Sequence, residues 1–489
     1  MQTNYFLTGV ELLLRAAWLA FKTAQPLLRG GLKRWLCGLF LVPGLALAAP
    51  DTVFTVQAWK NQTLVRALTQ DAVCPGIRFD QHAERPMRLR VAPQSLAARP
   101  DQAKTDAGPV EFKERVCEAR WPKGARTARV AGQPVPAPHA QIRRIVLIGD
   151  TGCRMKAAEQ AFQDCNDALA WPLAQVAMSA AALKPDLVVH VGDLHYRESP
   201  CPEGNAGCAG VAWGYGDAAW REDFFIPASP LLRAAPWVFV RGNHEACWRA
   251  GQGWFRFMDP SPWSAQRSCN DPANDSDADF SEPYAVALSQ HTQLIVFDSS
   301  KTAGKPYAET DLAFQKYADA LAQARQLMRK MPANFFVSHH PLLALSSGWR
   351  TGKAAAAGNQ GLQSVFEASF PQRLFPQGVQ LTLAGHIHAF EAINFVSDHP
   401  TSLVLGNSGS STDSQLPLSY PEGLSLYPGV EVGDYVASAD FGFATLDRKP
   451  AGAKDGWLLT EYNTLGRPMF VCQVGQGKSH CAKAENAPV

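Results

Sequence analysis

The sequence predicts an α/β core preceded by a smaller β-rich part, and three observations carry that prediction. From Ile142 onward, apolar runs of strand length alternate with amphipathic stretches such as residues 157 to 183 and 311 to 331, the pattern of strands packed against helices. Before them, β-favouring runs at residues 53 to 57, 63 to 68, 87 to 91 and 127 to 130 are separated by Pro, Gly and Asp, and they end in Pro134-Val-Pro-Ala-Pro-His139. This reads as a small β-rich domain followed by a linker. Five of the later apolar runs stop on Asp, Asn or His. The chain therefore divides into residues 1 to 48, 49 to 140 and 141 to 489, the last carrying the chemistry and a C-terminal extension.

Composition bounds the rest. The 489 residues are 46% hydrophobic and 18% charged, which is globular and enough for more than one core. A formal charge of +2 removes any strong electrostatic case for a nucleic-acid or other polyanionic partner, so binding has to come from a local site. Residues 1 to 48 read as a leader. Arg29, Lys33 and Arg34 precede an apolar run from 35 to 46 that is short for a bilayer and interrupted by Pro43, and Ala46-Leu47-Ala48 supplies the small residues of a signal-peptidase site. A periplasmic or secreted protein without a stable membrane anchor is the expectation, with a retained anchor as the alternative.

The cysteines agree with an oxidising compartment. There are 11, no Cys-x-x-Cys occurs, and loss of Cys37 with the leader leaves ten. Nearest-neighbour pairing is expected: Cys74 with Cys117, Cys153 with Cys165, Cys201 with Cys208, Cys247 with Cys269 and Cys472 with Cys481.

The chemistry gathers where the strands stop. Arg144-Ile-Val-Leu-Ile-Gly-Asp150 and Asp186-Leu-Val-Val-His-Val-Gly-Asp193 end on carboxylates, and the second continues through Leu194-His195-Tyr196. Trp237-Val-Phe-Val-Arg-Gly-Asn243 leads to His244-Glu245, Asn334-Phe-Phe-Val-Ser-His339 to His340-Pro341, and Val379-Gln-Leu-Thr-Leu-Ala-Gly-His386 to Ile387-His388. Carboxyl ends of strands in α/β sheets collect at one rim, where ligands bind. One Gly-Asp after a strand is ordinary turn chemistry, and His190, inside its strand, is expected to be structural. Six of the 12 histidines at strand ends beside carboxylates are another matter. Oxygen donors mixed with imidazoles, without thiolates, point to Fe, Zn or Mn.

In this order, Gly149-Asp150-Thr151-Gly152, Gly192-Asp193-Leu194-His195-Tyr196, Gly242-Asn243-His244-Glu245, Val337-Ser338-His339-His340-Pro341 and Gly385-His386-Ile387-His388 resemble the motifs of the calcineurin-like metallophosphoesterases, and within them the purple acid phosphatases. Gly152 stands where ordinary members carry a histidine, and Tyr196 stands where the purple branch carries its tyrosine. The resemblance covers residues 142 to 450 and implies a two-sheet sandwich flanked by helices around two metal ions. It places the first ion, iron, on Asp150, Tyr196, His388 and the bridging Asp193. The second, Zn, Mn or Fe, falls on Asp193, Asn243, His339 and His386, the following x-Pro selecting His339 over His340. His244 becomes the catalytic residue that does not bind metal. His195 is either near the centre or a hydrogen-bond partner behind it.

The activity implied is hydrolysis of a small-molecule phosphoester, preferably a monoester. Two cations make hydroxide available near neutral pH for in-line attack, with His244 as general acid. A diesterase or nucleotidase of the same superfamily, or a binding module that has lost turnover, is the alternative. The sequence is silent on oligomeric state.

Other features read as structure. Asp275-Ser-Asp277-Ala-Asp279 lacks the Gly and the terminal Glu of a calcium loop, since Phe280 and Val286 stand there, and is expected to be an acidic surface loop. Trp213, Tyr215 and Trp220 are expected to pack rather than line a substrate mouth, and Arg350 and Lys353 to be solvated.

Overall fold

The structure, a computed structural model, describes residues 52–99, 106, 110–347, 352–371, 373–412, 416–449 and 456–486. The expected leader and Arg350 lie outside these.

The motif strands are buried on both faces, which is why they are continuously apolar rather than alternating. In Arg144–Ile148, Ile145 and Leu147 enter one core while Val146 and Ile148 enter another. Phe335 and Val337 of Ala333–Val337 share the first of these cores, and Phe336 turns to a third. Three layers of core require two sheets with outer cover. The first sheet has 11 strands and the second has seven. Leu147, Val189, Val238, Val337, Leu381 and Leu383 fill the space between them.

At the centre of the first sheet Arg144–Ile148, Leu187–His190 and Trp237–Phe239 run parallel, with Ile148 beside His190 and Val189 beside Val238. In the second, Thr292–Val296, Ala333–Val337 and Val379–Ala384 are parallel neighbours. The helix Leu312–Met328 buries Tyr317, Leu321, Ala324 and Met328 against the outer face of the second sheet, a helical spacing that matches the expected amphipathic stretch. Fold class and N-terminal β-richness are as expected.

Two elements differ from the expectation. Of residues 157 to 183 only Leu173–Ala182 is an α-helix. The earlier part is a hairpin of Met155–Lys156 and Ala161–Phe162, reversed at Gln160 in left-handed conformation (φ 53°) and flanked by the Cys153–Cys165 disulfide. Pro172, directly before the helix, could not sit inside one. The N-terminal strands also extend the first sheet instead of standing apart. Thr52–Ala58 lies parallel to Trp237–Phe239, Val56 beside Trp237, and Gln62–Thr69, Arg115–Arg120 and Arg88–Val91 follow it outward. A four-stranded piece with its own core of Ile77, Phe79, Trp121 and Val130 completes this region. At the opposite edge Gly442–Arg448 pairs with Arg144–Ile148 and leads into the last three strands.

All five cysteine pairs are joined as nearest neighbours. The acidic stretch is a short helix and turn whose carboxylates face cations: Asp275 meets Arg99, Asp277 meets Lys316, and Asp279 meets Arg241 and Lys301. Tyr215 and Trp220 are buried, whereas Trp213 is exposed. Among the described residues no helix is long and apolar enough to cross a membrane.

Buried arginines fasten the N-terminal strands to the segment that follows the third motif. Arg66 donates to the carbonyls of Phe257 (2.7 Å) and Asp259 (2.6 Å), and Arg90 to that of Phe255 (3.0 Å). Both also reach Glu118 Oε2 at 3.1 Å. Burial opposes the Glu118 charge, but Arg66 and Arg90 outweigh it and hold its carboxyl below the usual range. Glu118→Ala takes the counter-ion from buried Arg66 and leaves Arg90 only Asp259 at 3.6 Å, and should cost about 3 kcal/mol, read from the urea midpoint at unchanged slope.

Candidate metal centre

The loops that follow the five motif strands meet at one place. The first two leave their strands through residues in left-handed backbone: Asp150 at φ 52° and Asp193 at φ 56°, with His386 at φ 71° in the fifth. Asp is among the few side chains that accept this conformation locally. Backbone bonds hold the turns, Asp150 N–H to Gly192 O and Thr151 N–H to Asp193 O, each at 3.0 Å. Gly192, at φ 110°, lets the His339 ring approach so closely that a Cβ would fall 2.4 Å from its Nδ1.

Seven side chains converge there. Tyr196 Oη lies 2.9 Å from Asp150 Oδ1, 3.0 Å from Asp193 Oδ2 and 2.8 Å from His388 Nε2. His339 Nε2 lies 3.1 Å from both Asp193 Oδ2 and Asn243 Oδ1, and His386 Nδ1 is 3.1 Å from the same Asn243 oxygen. The donors thus form two neighbouring groups that share Asp193. Two imidazoles are oriented from behind: His339 Nδ1 faces Val191 O at 3.0 Å and His388 Nδ1 faces Ser411 O at 2.6 Å. A ring that donates from Nδ1 to a carbonyl presents the Nε2 lone pair to the centre.

The electrostatics call for positive charge. Burial raises the Asp150 carboxyl, and burial with Asp150 and Asp193 lifts the Tyr196 phenol well above its usual range. Burial opposes the Asp193 charge too, but His339 and His244 hold that carboxyl well below the ordinary value. The reciprocal effect overcomes burial at His339 and lifts its imidazole to about 9. Oxygen and nitrogen donors aimed inward, with their outer atoms already bonded, are what a hard or borderline metal ion needs.

The backbone around the site hangs on two buried carboxylates. Glu245 accepts N–H bonds from Asp193 (3.1 Å), Leu194 (2.8 Å), His195 (3.1 Å) and Gly242 (3.0 Å). Asp223 accepts from Cys153 and Tyr196, both at 2.7 Å. At Gly152 a Cβ would stand 2.6 Å from Asp223 Oδ2 and 2.8 Å from Tyr196 N. Asp223 and the Tyr196 loop fill the room a histidine at 152 would need.

His244 is beside the donors. Its backbone N–H meets Asp193 Oδ1 at 2.8 Å, its ring packs 3.8 Å from that of Tyr196, and its Nδ1 faces Glu198 Oε1 at 2.7 Å. Burial and Arg249 depress the imidazole to about 4, against the pull of Asp193 and Glu198. His190 is satisfied by Thr151 Oγ1 and the Gly192 N–H, as expected of a structural residue. His195 is buried between the rings of Tyr215 and Trp220, directly before Tyr196 in the second motif loop. His340 bonds Ser299 and packs against His386 with ring centroids 4.2 Å apart and planes tilted by 44°, whereas His339 is the member of the pair that reaches Asp193. A cleft of about 430 Å³ opens beside Asn243 and His386, lined also by Trp248, Lys301, Thr302 and His340.

Sequence reasoning missed Glu198, Asp223 and Arg249. Glu198 and Arg249 are single charged residues in loops and Asp223 sits in the helical turn Arg221–Phe225, and only burial marks them.

A family model described as calcineurin-like phosphoesterase matches residues 143–390. Among solved structures, the purple acid phosphatase from yellow lupin (Lupinus luteus) seeds has a TM-score of 0.49 at 15% identity, covering 90% of this chain and 77% of that one. PhoD has a TM-score of 0.47 at 12% identity, covering 89% and 92%. No curated protein matches.

Replacing Asp193 by Ala should remove bound metal and activity together, because it alone belongs to both donor groups. His190→Ala should lower the melting temperature and leave metal content intact; metal analysis of both variants separates the two.

Proposed function

Because the chain belongs to the calcineurin-like phosphoesterases, we propose that it is a two-metal phosphomonoesterase of the purple acid phosphatase type, working in the periplasm or outside the cell. Family membership gives the coarse class, a metal-dependent phosphoester hydrolase. The finer reading is carried by one observation, the Tyr196 hydroxyl within 3.0 Å of Asp150, Asp193 and His388. Five disulfides suit an oxidising compartment.

Asp150, Asp193, Tyr196 and His388 would hold the first ion, for which a phenolate favours trivalent iron. Asp193, Asn243, His339 and His386 would hold the second, which is zinc, manganese or iron. When bound, such a pair lowers the pKa of the attacking water and neutralises charge on the phosphoryl oxygens. The protein's own residues do the rest. Asn243 and His386 border the cleft that receives the alcohol half of the ester. The leaving oxygen needs a proton, and His244 supplies it while Glu198 fixes its ring through Nδ1. Since burial and Arg249 hold His244 at about 4, the charged form that donates this proton is favoured by acid.

The test is metal analysis and a visible spectrum of the purified protein together with turnover of a phosphomonoester and a phosphodiester. Two metals, one of them iron, and preference for the monoester are expected. A colourless, fully loaded, active protein refutes iron bound to tyrosine while leaving the hydrolase. Tyr196→Phe should abolish the charge-transfer band and keep much of the turnover, since the other ligands still hold the ion.

His244→Ala should keep both metals and lower turnover of alkyl phosphates by roughly 10² to 10⁴. For esters with very good leaving groups the loss should shrink. An equal loss on both would mean that His244 positions phosphate instead.

A further inference from the structure

Behind His244 lies a buried polar chain that the proposed reaction does not use directly. Glu198 is fully buried and offers Oε1 both to His244 Nδ1 at 2.7 Å and to Arg249 Nη2, which itself lies 2.8 Å from His244 Nε2. Its other oxygen takes Lys156 Nζ at 2.5 Å, Tyr215 Oη at 2.9 Å and Arg249 Nε at 3.1 Å. Lys156 in turn bonds Asp106 Oδ2 at 2.6 Å, and Asp106 Oδ1 accepts Ser199 Oγ at 2.5 Å. Asp106 and Lys156 are 2% and 6% exposed, so neither is a surface ion pair.

Four chain segments meet in this cluster. Asp106 comes from the N-terminal region and Lys156 from the hairpin after the first motif. Glu198 follows the second motif, and His244 with Arg249 belongs to the third. Two carboxylates and two cations balance, an arrangement that tolerates burial only while each member keeps its partner. Lys156 does not line the cleft, and its ammonium lies 6.0 Å from the ring centroid of Trp248, which does.

We infer that Lys156 and Asp106 are positioning residues for His244: the pair clamps one oxygen of Glu198 so that the other meets the His244 ring in a fixed orientation. The N-terminal region thereby contributes to the active site without touching substrate. A carboxylate with free rotation could serve Arg249 alone and leave His244 unsupported. Arg249 grips both oxygens, and the further bonds of Lys156 and Tyr215 to Oε2 stop the carboxylate from turning about that pair, so Oε1 stays on the His244 ring. The inference rests on the proposed role of His244.

The test is a double-mutant cycle on the metal-loaded protein. Lys156→Met should lower kcat for an alkyl phosphomonoester roughly tenfold to a hundredfold, the range for losing a group that supports an active-site histidine. KM and metal content should not change, and a nitrophenyl ester should suffer much less. Added to His244→Ala, the same substitution should cost nothing further. Independent, multiplicative losses in the double variant overturn the inference, as does an equal loss on both esters from Lys156→Met when His244→Ala discriminates between them. If His244→Ala itself does not discriminate, the proton-donor reading fails, and the coupling in the cycle still decides the positioning. Should Lys156→Met not fold, Asp106→Asn keeps the shape, removes the charge and carries the same cycle.

Discussion

Everything at the centre depends on keeping one carboxylate, Asp193, ionised where solvent does not reach it. Its backbone is left-handed, its N–H is spent on Glu245, and one side-chain oxygen accepts the His244 N–H while the other faces His339 and Tyr196. An unpaired buried charge costs several kcal/mol, so each of these contacts constrains the loop that supplies it. The loops after two strands of one sheet and one strand of the other are thereby tied to a single residue.

The donors are also sorted by sheet. Asp150, Asp193, Tyr196 and Asn243, all oxygen donors, follow strands of the first sheet, whereas His339, His386 and His388 follow strands of the second. The centre is a seam between two layers, and neither layer alone presents a complete set. That explains the need for the apolar packing of Leu147, Val189, Val337 and Leu383 directly beneath: a shift between the sheets would separate oxygens from nitrogens.

The motif strands were legible because a strand buried on both faces is an unbroken apolar run, and its end is marked by the residue that must leave it through a tight turn. Disulfide pairing was legible because the cysteines fall in close sequence pairs. The groups that stabilise the loops were not. Glu198, Asp223 and Lys156 acquire meaning only when distant segments bring them partners, and no spacing encodes that. The stretch from 157 to 183 misled for a different reason: its apolar periodicity runs on across a hairpin, and Pro172 was the sign that it could not be one helix. The N-terminal strands looked self-contained because their seat beside Trp237–Phe239 is set by a pairing some 180 residues away in sequence.

The contrast between covalent and sheet connectivity has a consequence for how the chain matures. The disulfides span 7 to 43 residues, so each can close within a nascent segment. The sheet cannot, since Arg144 pairs with Asp447 and Val56 with Trp237. Pairings of such high contact order form late and slowly. Until the strand Gly442–Arg448 arrives, Arg144–Ile148 presents an open apolar edge in a chain whose crosslinks are already free to form, and such edges are where aggregation begins. The crosslinked but unassembled intermediate, rather than the folded protein, is the form most exposed to aggregation.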